Sequence, residues 1–558
     1  MFHLWVIALF MCIVWRDSVA APLVGEWLGL RDTIIATLVP MLLIGAGTVW
    51  RVRRLTRHVE ATGSYRSIRA ADRTLAISRW LAVLVHAIGV LGLGWLDAVR
   101  MSVGRVTGTD GDVILIDELI ALAPAVLVFI AGWWSMYPLD RLLRESAIYR
   151  TLHAGPAARD EADPAEREAA GDGAGYSAAN HEAEPAASES GGVLYPVPSR
   201  WEYVHGNIRH QLLLALVPLL LLVAWRETVQ FGMDHIGAAA SASAERALGA
   251  GRHPGPVLRA LNDPHKRAFA SDVLQLAGIL GVFILSPLIM RFVWDTTRLE
   301  PGPTRDRLLR LCRSQGVRVS DILVWRTHGT LMNGAVMGLI PHVRYVLLTD
   351  VMLDVMPTRE LEAVMAHEIA HVKHRHMLWL GLGIIVAVTV AAAAASVLLA
   401  VSGLDPNLLQ DNGAVEIAAT IGTLAVAVSM FGLISRRFEW QADAFAAKCL
   451  SQLGPGEGRD SADRAAPAAP AVVTPLGARA MIDALDVVAR INHIPRGLRS
   501  WRHGSIALRQ DKLAAIIGRP LARVPADRDV RLIKISIVAA VVLLVSLSVV
   551  DIVMGAAG

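Results

Sequence analysis

The stretch VMAHEIAHVKHRHMLWLGLGII, residues 364–385, sets four histidines and a glutamate directly before an apolar run. Within it, His367-Glu368-Ile369-Ala370-His371 has the form HExxH. Residues four apart project from one face of a helix, so both imidazoles can reach one cation. Glu368, between them, is placed to take a proton from an attacking water. Local signals support a helix: Thr358 as its cap, Glu360 in the first turn, and Leu361, Val364 and Met365 as an apolar stripe. Two histidines leave zinc short of the three protein ligands usual in catalytic sites. A chance match on an amphipathic helix is the competing reading, so a third ligand has to be found.

The surrounding composition is that of a polytopic membrane protein. The 558 residues are 54% apolar and only 19% charged, with a mean hydropathy of +0.45. Cys12, Cys312 and Cys449 share no ligand spacing, which argues against a disulfide framework or a thiolate metal site. The formal net charge of +4 combines an acidic segment with a basic remainder suited to anionic lipid. No aromatic-basic motif or phosphate-cradling glycine loop is present, and no nucleic-acid partner is expected.

Apolar runs of spanning length occur near 33–50, 81–95, 119–137, 211–225, 273–290, 377–401, 417–434 and 535–550, and 2–15 is a short ninth. The expected fold is therefore a mainly α-helical membrane protein of about eight or nine spans with a cytoplasmic zincin-like α/β catalytic domain. Its expected parts are a membrane domain of three or four spans (1–150), an acidic disordered linker (151–200) and a two-span segment with an outer loop (201–294). A peptidase core (295–453), a Pro/Ala-rich linker or insertion (454–475), the rest of the catalytic domain (476–530) and a last span (531–558) follow. Between 295 and 376, RDRLLRLCRSQG (305–316) has helical spacing ending at Gly316, and VRYVLLTDVML (343–353) begins as a strand. Basic clusters after Trp50, before Leu81, after Tyr137, beside Ile434 and at Arg531 and Lys534 all fall on one side if the spans alternate. That side is expected to be the cytoplasm. The basic residues of the 226–267 loop are the exception.

The third ligand is expected from SRRFEWQADAF, residues 435–445, which follows the 417–434 run. If 377–401 and 417–434 form an antiparallel hairpin, HExxH and Glu439 meet at the same membrane face. The hairpin would then be the clamp that unites distant ligands. Asp443, one turn after Glu439, can accept a hydrogen bond from a ligand histidine and fix its tautomer. His374 and His376 are read, with Lys373 and Arg375, as interfacial residues.

HEIAH followed by a membrane hairpin and SRRFEWQAD resembles the integral-membrane zinc metallopeptidases that include HtpX-type and CAAX prenyl proteases. The resemblance covers roughly 201–530. It implies that Asn333-Gly334-Ala335-Val336-Met337-Gly338, in which Gly334 replaces the usual Ala, is the edge receiving an extended peptide, with Asn333 and Ala335 in contact with substrate. It also implies an oxyanion-stabilising role for His503 and an anchoring role for Arg509 in RHGSIALRQDKL, where Gly504 replaces a proline.

The expected function is a zinc-dependent endopeptidase of the inner membrane, cutting membrane-associated or misfolded proteins at the cytoplasmic face. One zinc would sit on His367, His371 and Glu439, with a polypeptide as substrate and membrane lipid as surroundings. The amino-terminal membrane unit could be a sensor or adaptor. The alternatives are a CAAX-type prenyl-peptide protease and a catalytically silent zinc-binding scaffold.

Overall fold

The computed structural model describes residues 2–16, 29–107, 115–153, 197–253, 255–329, 331–402, 413–453, 471–492 and 494–557. Most of both expected linkers and of the loop joining the hairpin arms lies outside them. Among the described residues, seven helices are long and apolar enough to cross a membrane: Leu30–Thr62, Tyr65–Gly92, Ile116–Glu145, Arg200–Gly249, Pro264–Val293, His376–Leu398 and Pro525–Leu547. Each contains one of the expected runs or most of it. The eighth run, 417–434, falls within a single helix, Gly413–Gln452. The chain divides into two compact units, Met1–Val282 and Phe283–Gly558.

The first unit is helical, with α1 (Phe2–Arg16), α2 (Leu30–Thr62), α3 (Tyr65–Ala87), α4 (Trp95–Thr107), α5 (Ile116–His153), α6 (Leu214–Gly249) and the start of α7 (Pro264–Val293). At 15 residues, α1 is about 22 Å long, short of a bilayer's hydrocarbon. It buries Val6, Leu9, Phe10 and Ile13 against Leu96, Phe129 and Trp133 instead. Asp117, in the first turn of α5, is buried 2.6 Å from the Arg100 guanidinium.

The second unit holds a four-stranded sheet of order β1-β2-β4-β3, built from β1 (Thr296–Arg298), β2 (Asp321–Trp325), β3 (Gly334–Met337) and β4 (Tyr345–Thr349). β2 and β4 are parallel, with Ile322 opposite Val346, and both are buried throughout apart from Val324. Apolar runs of this kind are what a central strand covered on both faces requires. β3 pairs antiparallel with β4 in the register Ala335–Leu347 and forms an edge of the sheet. The helix expected over 305–316 is α8 (Pro303–Ser314), and Gly316 follows it in the left-handed region at φ +69°.

After β4 come α9 (Asp350–Val355), α10 (Thr358–Lys373), α11 (His376–Val401), α12 (Gly413–Gln452), α13 (Pro475–Ile491), α14 (Ile506–Ala514) and α15 (Pro525–Ala557). Thr358 does not cap α10. Pro357, with φ −56°, takes the boundary position and Thr358 is the first helical residue. Nor does the HExxH helix continue into the candidate span. It stops at Lys373, Arg375 turns left-handed at φ 55°, and a separate helix starts at His376. The hairpin itself is present, since α11 packs along α12. α15 joins them: Ile434 and Phe438 of α12, Trp379 and Leu382 of α11, and Val530 and Ile537 of α15 share one apolar cluster. A Cβ on Gly383 would come within 2.8 Å of Ile434 Cδ1 and 3.2 Å of Ile537 Cδ1, so any larger residue would make these side-chain ends shift.

Candidate metal centre

α10 buries Leu361, Met365, Ile369 and Ala370 and packs on both α12 and α13. That orientation turns His367 and His371, one turn apart, towards α12. Their Nε2 atoms lie 3.2 Å apart. Glu439 on α12 brings Oε2 to 3.6 Å from His367 Nε2 and Oε1 to 3.9 Å from His371 Nε2. One ligand atom from each of the three lies within 4.8 Å of the others.

This donor set suits a zinc ion. Zn–N bonds of about 2.0–2.1 Å in tetrahedral geometry set ligand nitrogens about 3.3 Å apart, near the 3.2 Å seen here. Two imidazoles and a carboxylate also match the ligands zinc uses in catalytic sites.

Around these ligands lies a set of charged and hydrogen-bonding groups. Asp443 Oδ1 is 2.9 Å from His367 Nδ1, an oblique ion-pair approach rather than a linear hydrogen bond. Arg509 grips Asp443 with two hydrogen bonds of 2.7 and 2.6 Å and reaches Glu439 Oε2 at 3.5 Å. Its guanidinium thus lies against both carboxylates of α12. His503 Nδ1 lies 3.0 Å from Glu439 Oε1, with its side chain 45% exposed. Gly504 beside it has φ +78°, which a proline ring cannot adopt. The departure from proline thus follows from the loop's own conformation.

Burial alone would raise the Glu439 carboxyl, but the His503 hydrogen bond and the Arg509 charge overcome it and hold the group well below its usual range. Asp443 is likewise lowered against its burial by the Arg509 guanidinium, whose own pKa is raised in return against burial. For His367, the Asp443 contact outweighs burial and raises the pKa. Burial, helped by the neighbouring His367, lowers His371 to about 4. Burial pushes Glu368 up to about 7, a value suited to a group that takes and returns a proton near neutrality.

Glu368 Oε2 accepts a 3.2 Å hydrogen bond from the Val336 backbone N–H. The edge strand β3 is thereby tied to Glu368. Ala335 pairs with Leu347, while Asn333 and Thr349 bond through the Asn333 N–H to Thr349 Oγ1 and the Thr349 N–H to the Asn333 carbonyl. At Gly334 an added Cβ would lie 3.0 Å from Val364 of α10, so the missing side chain lets the strand sit close against the metal-binding helix. Asn492 fixes the start of the strand, exchanging two hydrogen bonds with the Met332 backbone.

His376 departs from the interfacial reading. It is only 2% exposed, because the left-handed turn at Arg375 folds its ring back under the site. His376 Nδ1 lies 3.0 Å from His371 Nδ1, and its Nε2 lies 2.9 Å from Gln441 Oε1. Gln441 donates in turn to Asp527 at 2.8 Å. If His371 offers Nε2 to a metal, its Nδ1 carries the proton and donates to His376, and every later bond then runs towards the Asp527 carboxylate. The sequence signal was a histidine five residues after a ligand, and only the helix break gives that spacing meaning. Gln441 sits inside SRRFEWQAD with nothing in the motif to give it this contact, and Asn492 left no motif to read.

Residues 318–462 match the model of Peptidase family M48. That segment is similar to Peptidase family M48. This bears out the family expected from HEIAH and SRRFEWQAD. A protease HtpX homolog of Aeropyrum pernix is 31% identical over 112 residues, 19% of this chain and 34% of that protein. The match thus spans about a third of the relative's length. The crystal structure of S. mikatae Ste24p aligns over 76% of this chain and 95% of its own at 16% identity and a TM-score of 0.31. The M48 match includes His367, Glu368, His371, Glu439 and Asp443 but not His503 or Arg509.

Proposed function

We propose that this chain is a membrane-embedded zinc endopeptidase acting on membrane-associated or misfolded polypeptides at the cytoplasmic face. The observation that carries the reading is the convergence of His367, His371 and Glu439 beside a Glu368 that is bonded to an edge strand. An occluded structural site would have no use for such a pair.

A zinc ion on these three ligands supplies Lewis acidity towards water and a peptide carbonyl. Glu368 accepts the proton of the attacking water and returns it to the leaving amine. β3 receives the substrate as an added strand, with Asn333 and Ala335 along it, so backbone rather than side chain is recognised. His503, half-exposed beside Glu439, is the group available to the developing oxyanion. Asp443 and Arg509 hold the ligands in place.

The cytoplasmic, inner-membrane placement rests on the basic clusters at the span ends. The test is casein and self-cleavage by the detergent-purified protein with zinc, beside Glu368→Gln. Loss of turnover in the variant with zinc still bound is expected; turnover retained in Glu368→Gln would sink the assignment.

A further inference from the structure

A cavity lies beside Gln441 and Asp527, the groups at the end of the His376 chain of hydrogen bonds. It has a volume of about 620 Å³, and Lys373, Lys448, Arg531 and Lys534 line it with Asp527. Four cations thus face one carboxylate. Among the described residues, Lys448 is the only one of the four in an ion pair, with Asp527. Lys534 donates to the His374 carbonyl at 2.9 Å, and Lys373 donates to Gln315 at 3.0 Å. These contacts position the ammonium groups without neutralising them. Gathering like charges around a cavity costs free energy unless an anion offsets it.

The cavity's level in the chain points to the anion's source. Lys373 and His374 immediately precede the candidate span His376–Leu398, and Arg531 and Lys534 stand near the start of the candidate span Pro525–Leu547. The Lys534–His374 bond fastens these two span ends together. Trp379, on the first turn of α11, lies beneath the Lys534 ammonium at 5.4 Å. Tryptophan and lysine at a span end are residues that settle at headgroup depth.

We propose that this cavity binds the phosphate of an anionic phospholipid headgroup. Lys448, Lys373, Arg531 and Lys534 contact the phosphate oxygens as charged donors, while the acyl chains lie along the apolar faces of α11 and α15. Asp527 on the cavity wall sets a limit to the ligand's charge, favouring a single phosphodiester over a polyphosphate. Binding at this cavity does not depend on peptidase activity, because its four cations are distinct from His367, Glu368, His371 and Glu439.

The test is a titration of the detergent-purified full-length chain with short-chain phosphatidylglycerol, phosphatidylcholine and inorganic phosphate, read by native mass spectrometry. Lys373→Gln/Arg531→Gln removes two cations that have no carboxylate partner among the described residues, and its melting temperature checks folding. Arg53→Gln/Arg57→Gln, on the exposed end of α2, removes two charges elsewhere. Saturable phosphatidylglycerol binding is expected, weakened at least about tenfold by the first double variant and unaffected by the second. Equal binding of phosphatidylcholine, or equal weakening by both variants, would overturn the site. Inorganic phosphate binding as tightly as phosphatidylglycerol would assign the cavity to a soluble phosphate and overturn the lipid source.

Discussion

The Val336 backbone N–H donates to Glu368 Oε2 at 3.2 Å, so the strand proposed to receive substrate also positions the proposed base. Because Val336 lies on the edge strand and spends its N–H on Glu368, proline there removes this bond without removing a ladder bond. Val336→Pro should lower kcat by about 10- to 100-fold, the worth of one hydrogen bond to a charged group. Zinc content should stay unchanged. Single-turnover kinetics beside metal analysis checks this, and an unaltered kcat would show that Glu368 holds its place unaided.

His376→Phe keeps a ring that can stack on Phe438, which the imidazole now does at 4.3 Å. It removes the acceptor for His371 Nδ1. Zinc affinity should fall by about 10- to 100-fold, as for other groups that orient a metal ligand. Competition against a chelator of known affinity gives the number. An unchanged affinity would return His376 to a packing role.

Arg509 and Asp443 are both buried, with side chains 10% and 4% exposed. Arg509→Met leaves a buried carboxylate facing Glu439 with its main counter-charge gone. The expected destabilisation is about 3–5 kcal/mol. Adding Asp443→Asn should recover part of it, since the uncompensated charge is then gone. Denaturant unfolding of wild type, single and double variants measures the coupling, and strict additivity would contradict it.

Gly504→Pro restores the residue type the family resemblance implies, yet it should impair the enzyme. The φ of +78° at this position is closed to proline, so the loop carrying His503 must rearrange. Peptidase activity should fall while zinc stays bound. A fully active Gly504→Pro protein would mean that His503 does not depend on this turn.

Extraction of zinc with a chelator should abolish casein cleavage, and added zinc should restore it. Because three ligand groups bridge α10 and α12, the metal-free protein should also melt at a lower temperature. Identical melting with and without zinc would argue that the helix packing alone sets the centre.

The sequence by itself marked out the candidate ligands and a polytopic, mainly helical membrane protein. HExxH, SRRFEWQAD and the apolar runs are local patterns, and local chemistry decides that a helix places two histidines on one face and that a long apolar helix is insoluble in water. Even the pairing of Asp443 with a ligand histidine followed from one helical turn. Only the tertiary structure decided what depends on a change of chain direction. The left-handed Arg375 separates the metal-binding helix from the span and turns His376 inward, and one residue's backbone dihedral leaves no periodic trace. Arg509 meets Asp443, and Val336 meets Glu368, across 66 and 32 residues. Such contacts are set by how packed helices and strands close on one another, and spacing along the chain does not encode them.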